Sequence, residues 1–202
     1  MKVCPFFLNL PGQPPLFHPK LPFFHMNLQV FPLGQFQVLT EIDPAQRRQH
    51  IRVLESTPGK LRRLVDSLKS KQLDTRVRPG AWTIRQTVHH LADSQLQGYL
   101  RFRWAMTVEN PAIKTFDQDA WALLDDVVAG PIGPPLRLLE ACHVRWTAML
   151  FKMEDEHFAR TYQHPESGTL SLDQWLGFYA WHLDHHTAQI KQALQYYGWI
   201  DG

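Results

Sequence analysis

The amino-acid sequence predicts an all-α protein, a four-helix bundle with a long crossover connection. Three observations carry that expectation. Four segments of roughly 20 residues or more repeat apolar side chains at three-, four- and seven-residue spacings, the period of a helix with one buried face. Helix-start signals stand at the head of three of them. No alternating pattern of the kind a half-buried strand needs runs for more than a few residues. Amphipathic helices of similar length hide their stripes most simply against one another.

The first helix is expected to begin at Asp43-Pro44, where a capping side chain precedes a proline whose missing N–H would have had no helical partner. Its stripe is Ile51, Leu54, Leu61, Leu64, Val65 and Leu68. The second opens with TIRQ, in which Thr83 and Gln86 form a capping box, and runs to about Thr107. It carries Ile84, Val88, Leu91, Tyr99, Phe102 and Met106. The third covers residues 135–153, with Leu138, Leu139, Cys142, Trp146, Met149 and Leu150. The fourth opens with SLDQ, a second capping box from Ser171 and Gln174, and continues to Tyr197 before Gly198 stops it. Residues 108–134 link the second and third helices, with a short helix expected over 118–124. A link of that length lets the chain cross the bundle rather than turn back at once.

A chain of 202 residues is the size of one domain with a sizeable core. Residues 1–30 read as a proline-rich leader, extended or disordered or else lying as an arm on the domain surface, and residues 31–202 as the single domain. Seven of the 15 prolines fall in residues 1–32, a density that blocks both helix and central strand. Lys plus Arg number 21 against 19 for Asp plus Glu, so no general electrostatic attraction to nucleic acid or an anionic membrane is expected. The chain lacks an apolar run of about 18 residues, which excludes a membrane-spanning helix. Cys4 and Cys142 lie in unlike contexts, which argues against a disulfide and for a cytoplasmic location.

The fourth helix contains AWHLDHH, three histidines within five positions. At 100° per residue, Leu172, Leu176, Tyr179, Leu183, Ile190, Leu194 and Tyr197 fall within about 40° of one direction. His186 lies about 40° from it, His182 about 80°, and His185 roughly 140° away. The first two therefore flank the buried face on adjacent turns, a spacing that can offer two nitrogens to one ion, while His185 is expected to point outward. On the second helix, His89 and His90 both sit off the apolar stripe on opposite sides, and periodicity does not choose between them. Asp93 and Ser94 follow His90 by three and four residues, a polar strip able to orient its ring. His143 reads as a packing residue, His157 and His164 as loop residues, and His18, His25 and His50 as leader or surface residues.

The segments RPGAWTIRQTVHHLADS, RFRWAMT, RWTAML and LGFYAWHLDHHTAQI, preceded by FPLGQF, resemble the YfiT-like branch of the DinB superfamily over roughly residues 31–199. The leader has no counterpart in that resemblance, which implies a natural start near Met26. The resemblance implies a crossover four-helix bundle, a homodimer and one divalent metal per chain held by His90, His182 and His186. Members carry the name of metal-dependent hydrolases, and close relatives transfer low-molecular-weight thiols of the bacillithiol kind. Relatives often carry histidine where this chain has Asp184, a difference expected at the rim of the site.

Three neutral imidazoles leave a divalent ion its full charge and open positions, the pattern of a catalytic rather than a closed structural site. Zinc suits such a set, and nickel is accepted by imidazole as well. An ion of this kind lowers the pKa of bound water to about 7, and that of a bound thiol likewise. The expected activity is hydrolysis of a small molecule by activated water, with thiol transfer and a non-catalytic metal-binding bundle as the alternatives. Asp93 is the carboxylate singled out for proton transfer, and Arg101, Arg103 and Arg145 are weighed as anion holders against pairing across the bundle.

Overall fold

The computed structural model describes residues 28–201. The leader reading therefore lies outside the described residues over 1–27, as do Cys4, His18, His25 and Met26. The chain runs through α1 (Pro44–Val65), α2 (Ser70–Leu73), α3 (Ile84–Thr107), α4 (Gln118–Trp121), α5 (Asp125–Val128), α6 (Gly133–Leu150), α7 (Asp155–Ala159), β1 (Thr161–His164), β2 (Gly168–Ser171) and α8 (Leu172–Tyr196). Three of the four long helices, α1, α3 and α8, start where the capping signals place them. Asp43 accepts from the backbone N–H groups of Ala45 and Gln46 at 2.7 and 2.9 Å, satisfying donors that the first turn leaves orphaned. Thr83 with Gln86, and Ser171 with Gln174, close reciprocal capping boxes on α3 and α8.

Several boundaries differ from expectation. α1 ends at Val65 rather than Leu68, and α6 runs from Gly133 to Leu150 rather than over 135–153. The linker helix reaches only Trp121. The antiparallel β1–β2 hairpin was invisible to periodicity because four-residue strands are too short to alternate convincingly; its turn is closed by Gly168 at φ 74°.

The contacts define the topology of a four-helix bundle. Gln95 of α3 faces Cys142 and His143 of α6, and Phe102 faces Trp146, so α3 and α6 run parallel. Arg47 meets Asp173, and Thr57 meets Asp184, so α1 and α8 are parallel too. Going up α3 from His90 to Arg101, the partners on α8 fall from His182 to Tyr179, which makes that pair antiparallel. The order is up-down-down-up. A parallel pair joined in sequence must send its connection the length of the bundle, which is what residues 108–132 do between α3 and α6. The link is pinned midway by Ile113 and Pro111, whose backbone groups bond both sides of Gln163 in β1.

The core is continuous, from Ile51, Leu54 and Leu61 through Val88, Leu91 and Phe102 to Trp146, Leu183 and Ile190. Gly98 lets α3 approach the aromatic centre of that core. A Cβ there would stand 2.7 Å from both Trp146 and Tyr179. Before α1, residues 28–42 form an arm laid along the outer face of α8. Its Gly34 carbonyl accepts from Trp181 Nε1 at 3.2 Å, its Leu39 carbonyl accepts from Gln174 Nε2 at 3.0 Å, and Phe36 packs on Phe178 and Trp181. No helix among the described residues is long and apolar enough to cross a membrane.

Candidate metal centre

His90 from α3 and His182 and His186 from α8 converge. Each offers a ring nitrogen, and these three atoms lie within 4.8 Å of one another; among the described residues this is the one group of three or more such side chains. The Nε2 atoms of His90 and His182 are 3.1 Å apart. Two nitrogens each about 2.0–2.1 Å from one tetrahedral ion would stand roughly 3.3 Å apart, so the spacing fits a shared cation as well as a hydrogen bond. The antiparallel crossing explains the meeting: the i, i+4 pair on α8 spans one turn, and His90 inserts opposite it. His90 is chosen over His89, whose ring lies instead near Asp126 with its Nε2 buried and without a hydrogen-bond partner.

Burial dominates the electrostatics. The imidazoles of His90, His182 and His186 are all pushed well below the ordinary histidine range, first by desolvation and then by one another's charge. They are held neutral at physiological pH, which is the form that binds a metal. Trp82, just before the α3 cap, lies against His90 with ring centroids 4.6 Å apart and extends to His186 at 6.4 Å. His186 Nδ1 stands 2.9 Å from Gln189 Oε1, whereas His182 Nδ1 is buried without a partner. A three-imidazole set with no carboxylate among it, and with the Nε2 atoms of His90 and His182 turned toward each other, is chemically suited to a divalent ion.

His185 corrects the helical-wheel reading. It is buried, at 4% exposure, because the arm covers the side of α8 that a wheel treats as solvent. Its ring stacks on Trp181 at 4.6 Å and meets Phe31 of the arm at 5.6 Å. Burial and the nearby Arg78 push its pKa down to about 4. It still stands outside the group of three. Asp184 is not at the rim either: it turns toward α1 and accepts from the Thr57 hydroxyl at 2.7 Å.

The other predicted residues disperse. Asp93 is outside the histidine group; burial and the charge of Asp126 raise its carboxyl to about 6. Ser94 donates to the Leu91 carbonyl at 3.3 Å, the ordinary back-bond of a helical serine rather than a strut for His90. Arg101 is buried and donates to the Tyr179 hydroxyl and the Lys114 carbonyl, both at 3.0 Å. Arg145 of α6 lies over the Tyr99 ring of α3, so Arg101 and Arg145 take the cross-bundle role, while Arg103 donates to the Tyr99 hydroxyl one turn back on its own helix. His157 accepts from the Glu154 N–H at the start of α7, and His164 accepts from the N–H groups of Glu166 and Ser167 in the hairpin turn. His50 is not a plain surface residue: it fills the space beside Gly177, whose Cβ would lie 3.2 Å from its ring. Sequence reasoning missed Trp82, Gln189 and the continuation of a surface arm as far as the start of α1. For Gln189 the signal was a polar side chain three residues after His186 and beside the apolar stripe.

A helical bundle with three inward histidines defines a class, and comparison places the chain within it. Residues 54–190 match the family model of the DinB superfamily, and the chain belongs to that superfamily. YfiT of Bacillus subtilis (strain 168), whose name assigns it provisionally to the metal-dependent hydrolases, is 42% identical over 171 residues, covering 84% of this chain and 96% of YfiT. A relative from Oceanobacillus iheyensis with the same provisional name is 41% identical over 169 residues, covering 84% of this chain and 98% of its own. The solved YfiT structure, described as a four-helix bundle of unusual topology, superposes with a TM-score of 0.81 at 40% identity, over 84% of this chain and 98% of that one. The four-helix-bundle protein TT2238, 21% identical with a TM-score of 0.51 over 72% of this chain and 98% of its own, shares the fold.

Proposed function

We propose that the protein is a metal-dependent hydrolase of small molecules, with one divalent ion per chain held by His90, His182 and His186. The observation that carries the reading is the convergence of three buried, neutral ring nitrogens within 4.8 Å. The provisional names of relatives at about 40% identity support it. An ion with three neutral ligands would supply Lewis acidity and an acidified water or thiol. The protein's own part is to keep the imidazoles deprotonated by burial and to wall one side with Trp82. Asp93 lies one turn beyond His90 on α3 but outside the group of three, and it is the carboxylate to test first for proton transfer. Zinc or nickel as the ion, a cytoplasmic location, a homodimer and a domain that begins with the arm belong to the same proposal.

Metal content tests the core of it. Purified protein is expected to carry about one ion per chain by elemental analysis, and the His182→Ala/His186→Ala double variant none. Full occupancy in the double variant would sink the assignment. The metallated protein is then offered a panel of esters and amides beside a thiol panel with a generic electrophile. Turnover only in the thiol arm would replace hydrolysis by thiol transfer at the same ligands. Turnover in neither arm, with no cobalt spectral response to azide or thiol, would favour a non-catalytic metal-binding bundle.

A further inference from the structure

The third imidazole is held unlike the other two. His186 Nδ1 lies 2.9 Å from Gln189 Oε1, and Gln189 Nε2 donates to the Val30 carbonyl of the arm at 2.8 Å. The second bond fixes the first. A backbone carbonyl only accepts, so the amide nitrogen must face Val30 and the amide oxygen must face the imidazole. His186 Nδ1 therefore carries the proton and donates it to Gln189. Its Nε2 is left with the lone pair, the same atom that His90 and His182 turn toward each other.

Gln189 has little freedom to do otherwise. It is 7% exposed, and the arm above it is tied to α8 on both sides of this point. Gln29 N–H donates to Gln192 Oε1 at 2.9 Å, and the Gly34 carbonyl accepts from Trp181 at 3.2 Å. A side chain gripped at both ends loses its rotamer entropy on folding rather than on ligand capture, which is preorganisation.

Resting on the three-histidine reading above, we propose that Gln189 is the positioning residue of the site. It presets the tautomer and ring direction of His186, and the arm holds it in place through Val30. The arm is thereby part of the metal centre without contributing a ligand.

Zinc affinity of the full chain, measured by competition with a chromophoric chelator, tests this, with thermal unfolding of the zinc-free proteins as a folding control. Gln189→Met keeps the volume but cannot accept from Nδ1, and is expected to bind zinc about 10- to 100-fold more weakly. Gln189→Glu can still accept that proton but cannot donate to Val30. It is expected to recover most of the affinity, within about threefold of the parent, because a carboxylate is the commonest partner of a ligating histidine. Unchanged affinity in Gln189→Met would overturn the proposal. So would a Gln189→Glu protein as weak as Gln189→Met, since that would make Gln189 an arm anchor only. Failure of the underlying site looks different: the parent itself would bind no zinc, or would bind it equally after His182→Ala/His186→Ala, and the inference would fall with it.

Discussion

Two groups of buried imidazole sit in this bundle, and they solve the same problem in opposite ways. His143 of α6 meets Gln95 of α3, Nε2 to Oε1 at 3.1 Å, and Gln95 passes the interaction on by donating to the Tyr179 carbonyl. Its Nδ1 is buried without a hydrogen-bond partner, and burial outweighs the pull of the Leu54 carbonyl on a second proton. One ring thus finds an amide and becomes part of the packing. In the other group three rings find one another, nitrogen to nitrogen, with a single amide on the outer side. An imidazole that faces an amide is satisfied within the packing, whereas three that face one another form a set that a cation would fit.

The contrast can be broken at several points. The largest effect is expected on metal content: His90→Ala should lower occupancy from about one ion per chain to near zero, and His143→Gln should leave it unchanged, both read by elemental analysis. Equal loss in the two variants would erase the distinction.

Acid stability comes next. Burial holds the folded-state pKa of His143 near 4 against an ordinary 6.5. The unfolded chain therefore takes up a proton below pH 6.5 that the folded chain refuses until about 4. Stability is complete above 6.5 and falls as the pH drops through that window, by on the order of 3 kcal/mol for this group. Urea titrations at pH 7 and 4.5 should show a smaller loss for His143→Gln than for the parent. The three clustered histidines share the sign, and a bound ion would keep protons off them, so saturating zinc should raise the stability of the parent at pH 7 and make the acid limb steeper, and chelator should reverse both.

Gly98→Ala is expected to cost about 1–3 kcal/mol by crowding Trp146 and Tyr179, visible as a lower Tm with metal stoichiometry intact. Removing the α3 cap with Thr83→Ala should cost about 1 kcal/mol, because the Gln86 N–H loses its acceptor. The smallest effect is expected for His185→Ala on metal content, which should be none, although this ring is as buried as those of the three proposed ligands.

The bundle was legible because its signals are local. Asp43-Pro44, Thr83 with Gln86, and Ser171 with Gln174 satisfy orphan backbone groups within their own first turns, and each helix begins where they stand. The i, i+4 pair His182 and His186 was legible for the same reason, since one helical period sets their mutual placement. His89 against His90 was undecidable from periodicity, because the answer depends on where α8 crosses α3. His185 was misread because a wheel knows one helix and not the arm that covers it.

By itself, then, the sequence determined the helices, their caps, the long link and the two-histidine face of α8, all properties of chain within a few turns of itself. Tertiary structure alone decided that α3 and α6 run parallel, that His90 rather than His89 closes the group, that Asp93 stands apart from it, and that Gln189 joins the arm to His186. These depend on contacts between residues from 48 to 159 positions apart, and such contacts are set by how helices pack rather than by the period of any one of them.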